Sequence, residues 1–162
     1  MVKVIGITQA RIGSSRLPKK VLQTVLGKTL LDYHLERALE SKNVSEWKVA
    51  TTNEDESDLI VAIAEKHNIS SYKGSLNDVL DRFYQAVKDA NPDYVVRITS
   101  DCPLIDADLI DQTIRFCVDN QLEYQQEVEK IQDKDFAHNW VSSSAFLFYL
   151  QVACIVAFVF GG

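Results

Sequence analysis

The strongest constraint on the fold is a fourfold alternation of short β-branched segments with segments of helical periodicity. The predicted strands cover residues 2–7, 47–51, 69–72 and 94–98. The predicted helices begin near residues 29, 56, 75 and 106, and their apolar stripes include Leu59 and Leu80. Such alternation is typical of βαβ units around a parallel sheet. The chain is therefore predicted to have an α/β fold with a mainly parallel sheet.

Capping side chains mark the predicted helix starts. Thr29 and Asp32 have the spacing of a capping box, and Ser75 and Asp106 can cap the third and fourth helices. Asn53 can either cap the second helix or face a ligand. Right-handed crossovers bring the strand-to-helix loops to one edge of the sheet, where ligands bind in open α/β folds. The predicted site is therefore built from residues 8–20, 51–55, 73–78 and 99–106.

Composition limits the class of protein. A chain of 162 residues, 46% hydrophobic and 25% charged, is typical of one globular domain. We predict a nucleotide-binding domain over residues 1–135 and an apolar tail over residues 136–162. Met1 leads directly into an apolar strand, so no signal peptide is expected. The three cysteines share no motif spacing, which indicates reduced thiols and a cytoplasmic protein.

The charge is unevenly distributed along the chain. Residues 1–31 hold six basic side chains and no acid, whereas the remainder holds eleven bases and twenty-three acids. The net charge of −6 argues against nucleic acid as the main partner. A basic start on an acidic protein suits a small polyanion. Chance clustering on a solvated surface is the alternative.

The loop after the first strand, TQARIGSSRLPKK, has the composition of a triphosphate site. It combines a flexible glycine, small donors and four cations, and it is long for a connection of this type. These residues are Arg11, Gly13, Ser14, Ser15, Arg16, Lys19 and Lys20. A merely basic surface loop is the alternative.

Other phosphate and catalytic motifs are excluded. Gly27-Lys28-Thr29 resembles the end of a Walker A motif, but Leu22 stands where that motif needs its first glycine. A G-x-G-x-x-G dinucleotide fingerprint, zinc-ligand spacing and a G-x-S-x-G elbow are absent from the sequence. The histidines are isolated and are predicted to be ordinary core or surface residues.

The fourth loop, TSDCPLID, offers a metal ligand. Asp101 follows a predicted buried strand, and Mg²⁺ combines one or two carboxylates with substrate phosphates and waters. Asp106 is better explained as a helix cap. Arg97 lies within the preceding strand and needs a partner if buried, for which Asp101 and a phosphate are both suitable. Arg82 has the spacing for a surface ion pair with Asp78.

Taken in order, five segments resemble one family. ARIGSSRLPKKVL, GKTLLDYHLERA, VATTNEDESD, GSLNDVLDRFYQA and VVRITSDCPLID resemble the spore coat polysaccharide biosynthesis branch of the cytidylyltransferases, related to the CMP-sialate and CMP-3-deoxy-manno-octulosonate synthetases. The likeness runs from residue 1 to about residue 119. It implies a Rossmann-like nucleotide-diphospho-sugar transferase sandwich and transfer of CMP from CTP to a sugar or sugar acid, with Mg²⁺ as cofactor and a homodimer as assembly.

The resemblance also implies roles for individual residues. Arg11 and Lys20 would contact the CTP phosphates, Asp101 would bind Mg²⁺, and these three would carry catalysis. Thr52 and Asn53 would lie near the cytosine or ribose. The rest of the nucleotide site would comprise Ala10, Gly13, Ser14, Ser15, Arg16 and Ser100. Two positions depart from the family pattern, because Lys19 and Ser100 stand where glycine is usual.

The tail does not fit this pattern. Such proteins continue with more sheet, a second metal-binding aspartate and a dimerising segment, whereas residues 139–162 contain no charged side chain. A truncated end, a segment packed in the core and a membrane tail are three explanations. Residues 140–160 would span about 31 Å as a helix, enough for a bilayer. The sequence therefore leaves two functions open, a CTP-dependent sugar nucleotidyltransferase and a non-catalytic or membrane-held nucleotide-binding remnant.

Overall fold

A four-stranded parallel sheet forms the centre of the molecule in a computed structural model, which describes residues 2–13 and 17–121. Its strands are β1 (Val4–Gln9), β4 (Glu46–Thr52), β5 (Ser70–Gly74) and β6 (Tyr94–Thr99), in the spatial order β5-β4-β1-β6. A two-stranded hairpin, β2 (Thr24–Val25) with β3 (Lys28–Thr29), precedes the first helix. The helices are α1 (Leu30–Ala38), α2 (Asp58–Lys66), α3 (Val79–Val87) and α4 (Ala107–Asp119). The predicted α/β class is confirmed, and the hairpin was not foreseen.

Side chains that alternate along the strands divide the core between the two faces of the sheet. Val4, Val49, Val96 and Ile98 pack with residues of α1, α2 and α4, whereas Ile5, Ile7, Ala50 and Val95 pack with Phe83 and Val87 of α3. The chain thus crosses to the other face with α3, when it passes from β5 over the sheet to β6. Adjacent residues of a strand point to opposite faces, so each of these strands is buried on both sides.

The described helix starts confirm two predicted caps and correct two others. Thr29 and Asp32 form the capping box of α1, and the Asp106 carboxylate accepts a hydrogen bond from the Leu109 N–H at 3.1 Å. Asn53 does not cap α2, because that helix begins after Ser57. Ser75 does not cap α3 either; Asp78 does, by accepting from the Asp81 N–H at 2.9 Å. Ser75 instead shapes the preceding turn by accepting from the N–H of Asp78.

The predicted apolar tail and the end of the predicted domain, from residue 122 onward, lie outside the described residues. Among the helices that the structure describes, none has both the length and the apolar character needed to cross a bilayer. Leu59 and Leu80, which were predicted to face the core, are exposed instead. Both are solvent-facing because α2 and α3 each turn only a narrow stripe, centred on Ile60 and Phe83, toward the sheet.

Candidate active site

The candidate crevice is the space between the loops after β1 and β6, whose strands are neighbours in the sheet. β1 pairs with β4 on one side and with β6 on the other, and Gln9 at its end stands opposite Ala50 and Thr99. β1 is followed by α1 and β6 by α4, and both helices pack on the same face of the sheet, so the loops after β1 and β6 lie side by side. Ligands of open α/β sheets bind outside the carboxyl ends of the strands. The loops after β1 and β6 hold most of the predicted site residues.

The loop after β1 is closed on itself by backbone hydrogen bonding. The Lys19 N–H donates to the Ile12 carbonyl at 3.1 Å, and Ile12 is buried beneath the loop. Lys19 adopts a φ of 54°, in the left-handed region that glycine occupies without strain. Its ammonium group lies 2.7 Å from Glu56 Oε1, in the loop after β4. The glycine that the resemblance leads us to expect at this position would adopt this conformation without strain. Ser14, Ser15 and Arg16 lie outside the described residues.

Lys20 and Asp101 meet across the crevice. Lys20 begins a short 3₁₀ helix, Lys20–Leu22, which turns its side chain toward the loop after β6. Its Nζ lies 3.5 Å from Asp101 Oδ2, and the two side chains are 39% and 54% exposed. Since both groups are open to solvent, a phosphate and a cation can reach them. The structure thus brings together the two residues on which the predicted triphosphate site depends.

The backbone around Asp101 is held by buried polar groups on both sides. Ser100 is buried, and its hydroxyl donates to the Gln9 carbonyl at 2.7 Å. On the other side, His34 Nδ1 lies 2.9 Å from the Cys102 carbonyl oxygen. Burial lowers the pKa of His34, against the opposing effects of that carbonyl and of Asp101. Ser100 thus contacts the end of β1 rather than the open crevice, and its assignment to the nucleotide stays a prediction.

The remaining predicted nucleotide contacts differ in accessibility. Ala10 is buried, and its N–H donates to the Ala50 carbonyl at 3.1 Å. Thr52 is fully buried, and its hydroxyl donates to Glu54. Asn53 is exposed, with its N–H donating to the Gly74 carbonyl at 3.0 Å. Of Thr52 and Asn53, Asn53 is the one whose side chain is open to a ligand at this edge of the sheet.

Glu54 was missed by sequence reasoning. Its carboxylate lies against the backbone of Gly13, where any Cβ would collide with it. The same carboxylate accepts the Thr52 hydroxyl, so Glu54 connects the loops after β1 and β4. The sequence offered only an acidic run after a strand, in which this glutamate is indistinguishable from Asp55 and Glu56.

Arg82 and Arg97 are placed differently from the prediction. Arg82 is 1% exposed and makes no surface ion pair with Asp78; one of its terminal nitrogens donates to the Ser75 carbonyl. Arg97 Nη2 donates to Gln9 Oε1 at 2.9 Å. The partner of Arg97 is therefore Gln9 and not Asp101, and Arg97 does not need a phosphate to be paired. The guanidinium groups of Arg82 and Arg97 lie 5.8 Å and 5.1 Å from the centre of the Phe83 ring.

Arg82, Arg97 and the nearby Arg11 concentrate positive charge at the carboxyl edge of the sheet. Burial lowers the pKa of Arg82, and the nearby positive charges of Arg11 and Arg97 lower it further, whereas Glu54 opposes them. Arg11 itself is exposed. The Nε atoms of Arg82 and Arg97 are buried and have no hydrogen-bond partner among the described residues. The field at this edge therefore favours an anionic ligand.

Comparison with known proteins decides the family. A family model described as cytidylyltransferase matches residues 5–143. The chain belongs to the cytidylyltransferase family. The chain is 33% identical over 128 residues to the spore coat polysaccharide biosynthesis protein SpsF of Bacillus subtilis, covering 76% of this chain and 53% of that protein. It is 35% identical over 119 residues to the 3-deoxy-manno-octulosonate cytidylyltransferase of Bdellovibrio bacteriovorus, covering 74% of this chain and 47% of that protein.

A solved structure supports the same membership. The structure of a cytidylyltransferase from Leptospira borgpetersenii matches this chain with a TM-score of 0.72 and 38% sequence identity, over 77% of this chain and 52% of that one. The Rossmann-like fold implied by the resemblance is confirmed. The chain spans about half the length of the curated relatives that it matches.

Proposed function

We propose that this chain binds CTP together with Mg²⁺ in the crevice between the loops after β1 and β6, and that it transfers CMP to a sugar or sugar acid. The observation that carries the proposal is the meeting of Lys20 Nζ and Asp101 Oδ2 at 3.5 Å across the crevice. A triphosphate–metal complex needs a cation for the phosphates and a carboxylate for the metal within one site. This pair supplies both.

The donor set fits Mg²⁺ bound through its substrate. Asp101 offers a half-exposed carboxylate that pairs with the Lys20 ammonium group. Among residues 2–13 and 17–121, no three histidine, cysteine or acidic side chains converge as a self-sufficient metal site. Mg²⁺ commonly keeps several waters and takes one or two carboxylates plus substrate phosphates, so a single aspartate is adequate. When bound, Mg²⁺ would neutralise charge on the triphosphate.

The reaction places few covalent demands on the protein. A sugar hydroxyl attacks the α-phosphorus of CTP and loses its proton to solvent, while the bond from the α-phosphorus to the α,β-bridging oxygen breaks and pyrophosphate leaves with the electron pair. Lys20 and Arg11 would hold the phosphates and stabilise the negative charge that develops on the departing pyrophosphate. Asn53, exposed at the end of β4 on the same edge of the sheet, would contact the base or ribose. The acceptor class is proposed by analogy with SpsF and with the 3-deoxy-manno-octulosonate cytidylyltransferase described above.

Titration calorimetry of the full chain with CTP, UTP, ATP and GTP, each with and without Mg²⁺, tests the binding half of the proposal. A pyrophosphate-release assay with sugar acids, among them 3-deoxy-manno-octulosonate, tests the transfer half. We expect Mg²⁺-dependent binding that favours CTP, with release of pyrophosphate only when an acceptor is present. Absence of CTP binding would refute the proposal.

A non-catalytic nucleotide-binding role is the second candidate. One feature of the described residues favours it: Asp101 is the one acidic side chain that they bring to Lys20. This single carboxylate provides only one protein ligand for a metal ion. Binding of CTP without pyrophosphate release from any acceptor would support this alternative.

A further inference from the structure

His34 lies directly beneath the crevice and contacts both of its sides. It belongs to α1, on the face packed against the sheet, and its side chain is 0% exposed. His34 Nε2 lies 3.1 Å from the Thr8 hydroxyl oxygen in β1. His34 Nδ1 lies 2.9 Å from the Cys102 carbonyl oxygen, in the loop after β6. One imidazole ring therefore connects the strand that leads into the β1 loop with the loop that carries Asp101.

The two partners determine the tautomer. A carbonyl oxygen can only accept, so His34 Nδ1 must carry the proton that is donated to Cys102. His34 Nε2 is then the acceptor and receives the Thr8 hydroxyl proton. In the neutral ring both nitrogens are thus satisfied, as buried polar groups require. A ring fixed at both nitrogens cannot rotate without breaking a buried hydrogen bond.

The hydrogen bond from His34 reaches the backbone next to Asp101, so it acts on the Asp101 loop and not only on the core. Cys102 directly follows Asp101, and Ser100 directly precedes it. The Ser100 hydroxyl donates to the Gln9 carbonyl at 2.7 Å. The backbone on both sides of Asp101 is therefore tied to buried groups, while its carboxylate stays half-exposed. Of these two hydrogen bonds, the one from the His34 imidazole comes from helix α1 and not from a neighbouring strand.

We propose that His34 is a positioning residue that holds the Asp101 carboxylate in place for a metal-bound nucleotide. The inference rests on the proposed function for the identity of the ligand, a nucleotide with its metal ion. The hydrogen bond between His34 and the Asp101 loop does not depend on that function. Groups that orient a ligand of a metal from behind typically change metal affinity about 10- to 100-fold when they are removed. His34 acts through the Cys102 backbone and does not itself touch substrate.

The test compares the full chain with His34→Leu, which removes both hydrogen bonds at similar volume, and with His34→Asn, whose amide can still donate to Cys102. Leu35→Val is the matched control, because Leu35 is the neighbouring buried residue of the same helix. CTP binding is titrated against Mg²⁺ for each folded variant. We expect His34→Leu to raise the half-saturating Mg²⁺ concentration about tenfold or more. His34→Asn and Leu35→Val should stay within about threefold of the parent chain.

Three outcomes would overturn the inference. They are an unchanged Mg²⁺ requirement in His34→Leu, an equal shift in Leu35→Val, and an equal shift in His34→Asn. If His34→Leu does not fold, His34→Phe replaces it, because a phenyl ring fills the site without either hydrogen bond.

A measurement without nucleotide separates this inference from the proposed function. Hydrogen–deuterium exchange of the peptide covering residues 100–105 should be faster in His34→Leu than in Leu35→Val. Equal exchange in the two variants would refute the link between His34 and the Asp101 loop. If the parent chain binds no CTP, the proposed function fails, and the exchange experiment still decides whether His34 holds this loop.

Discussion

Lys20 and Asp101, which belong to the loops after β1 and β6, form an ion pair with 3.5 Å between Nζ and Oδ2. Each is the counter-ion of the other when no ligand is bound. Because both side chains are substantially exposed, the pair contributes little to stability, on the order of 0–1 kcal/mol. A metal ion and a phosphate can therefore replace this contact at low cost, each taking one member of the pair.

Substitution of the pair should separate phosphate binding from metal binding. Lys20→Ala should weaken CTP binding both with and without Mg²⁺, since a charge-assisted hydrogen bond of ~1.5–3 kcal/mol is lost, equivalent to about 10- to 150-fold in Kd. Asp101→Asn should weaken only the binding that depends on Mg²⁺. Calorimetric titration at fixed ionic strength measures both constants.

The control for this pair is Lys28→Ala. Lys28 also lies in the basic first segment, but its ammonium group is 2.7 Å from Glu36 Oε1 on α1. Its loss should leave CTP affinity within about twofold. If Lys28→Ala weakened CTP binding as much as Lys20→Ala, the whole basic segment would attract the nucleotide through its net charge. The crevice would then no longer be supported as the CTP site.

Lys19→Gly should stabilise the fold. Lys19 occupies the left-handed region at a φ of 54°, which costs a residue with a Cβ about 1 kcal/mol. The Glu56 ion pair that is lost with the side chain is exposed and contributes little. We expect a gain of about 0.5–1 kcal/mol in the free energy of unfolding, measured by urea denaturation. Lys19→Ala keeps the Cβ, so an equal gain there would contradict the backbone explanation.

Leu26→Asn should also be stabilising, through the β2–β3 hairpin. Leu26 and Gly27 form its two-residue turn with φ values of 50° and 83°, the signs of a type I′ turn. Asparagine tolerates this conformation far better than leucine, and Leu26 is 94% exposed, so no packing is lost. The expected gain is about 1 kcal/mol in thermal or urea unfolding. Leu26→Ala, which keeps the unfavourable φ for a residue without a polar side chain, should gain less than Leu26→Asn.

The buried His34 should make stability depend on pH. Burial lowers the pKa of His34 in the folded chain, so at mildly acidic pH the unfolded chain binds a proton that the folded chain does not. The stabilising contribution of the neutral ring is thus present above the ordinary pKa of about 6.5 and is lost as pH falls below it. The slope from this group is at most about 1.4 kcal/mol per pH unit.

Urea unfolding at pH 7.5 and pH 5.5 measures this dependence. The parent chain should lose more stability between these values than His34→Leu, which has no ring to protonate. An identical loss in the two proteins would show that another group carries the pH dependence.

Much of the scaffold could be predicted because its signals are local. The alternation of strand and helix segments predicted the parallel sheet, and the loops after its strands do form one edge. The Thr29–Asp32 capping box needs only residues three apart, and the structure has it. Asp101 was singled out by residue type and by its position after a strand, whereas Lys20 was chosen among the four cations of its loop by the family resemblance. The two side chains lie together.

The partners of buried polar groups could not be predicted, because they depend on which distant elements pack together. Arg82 has the spacing of a surface ion pair, yet the packing of α3 against the sheet buries it beside the Ser75 carbonyl. Arg97 is bonded to Gln9, from a strand far away in sequence. His34 looked like an isolated histidine, and its link to Cys102 exists only because α1 packs beneath the loop after β6.

The sequence alone determined the order of elements, several of their ends and the chemistry available on each loop, since hydrogen bonds within a few residues and apolar periodicity act along the chain. The tertiary structure decided which loops face each other, which charges are buried and what holds Asp101 in place. Those outcomes follow from strand order and helix packing, in which each contact depends on residues brought together from distant parts of the chain.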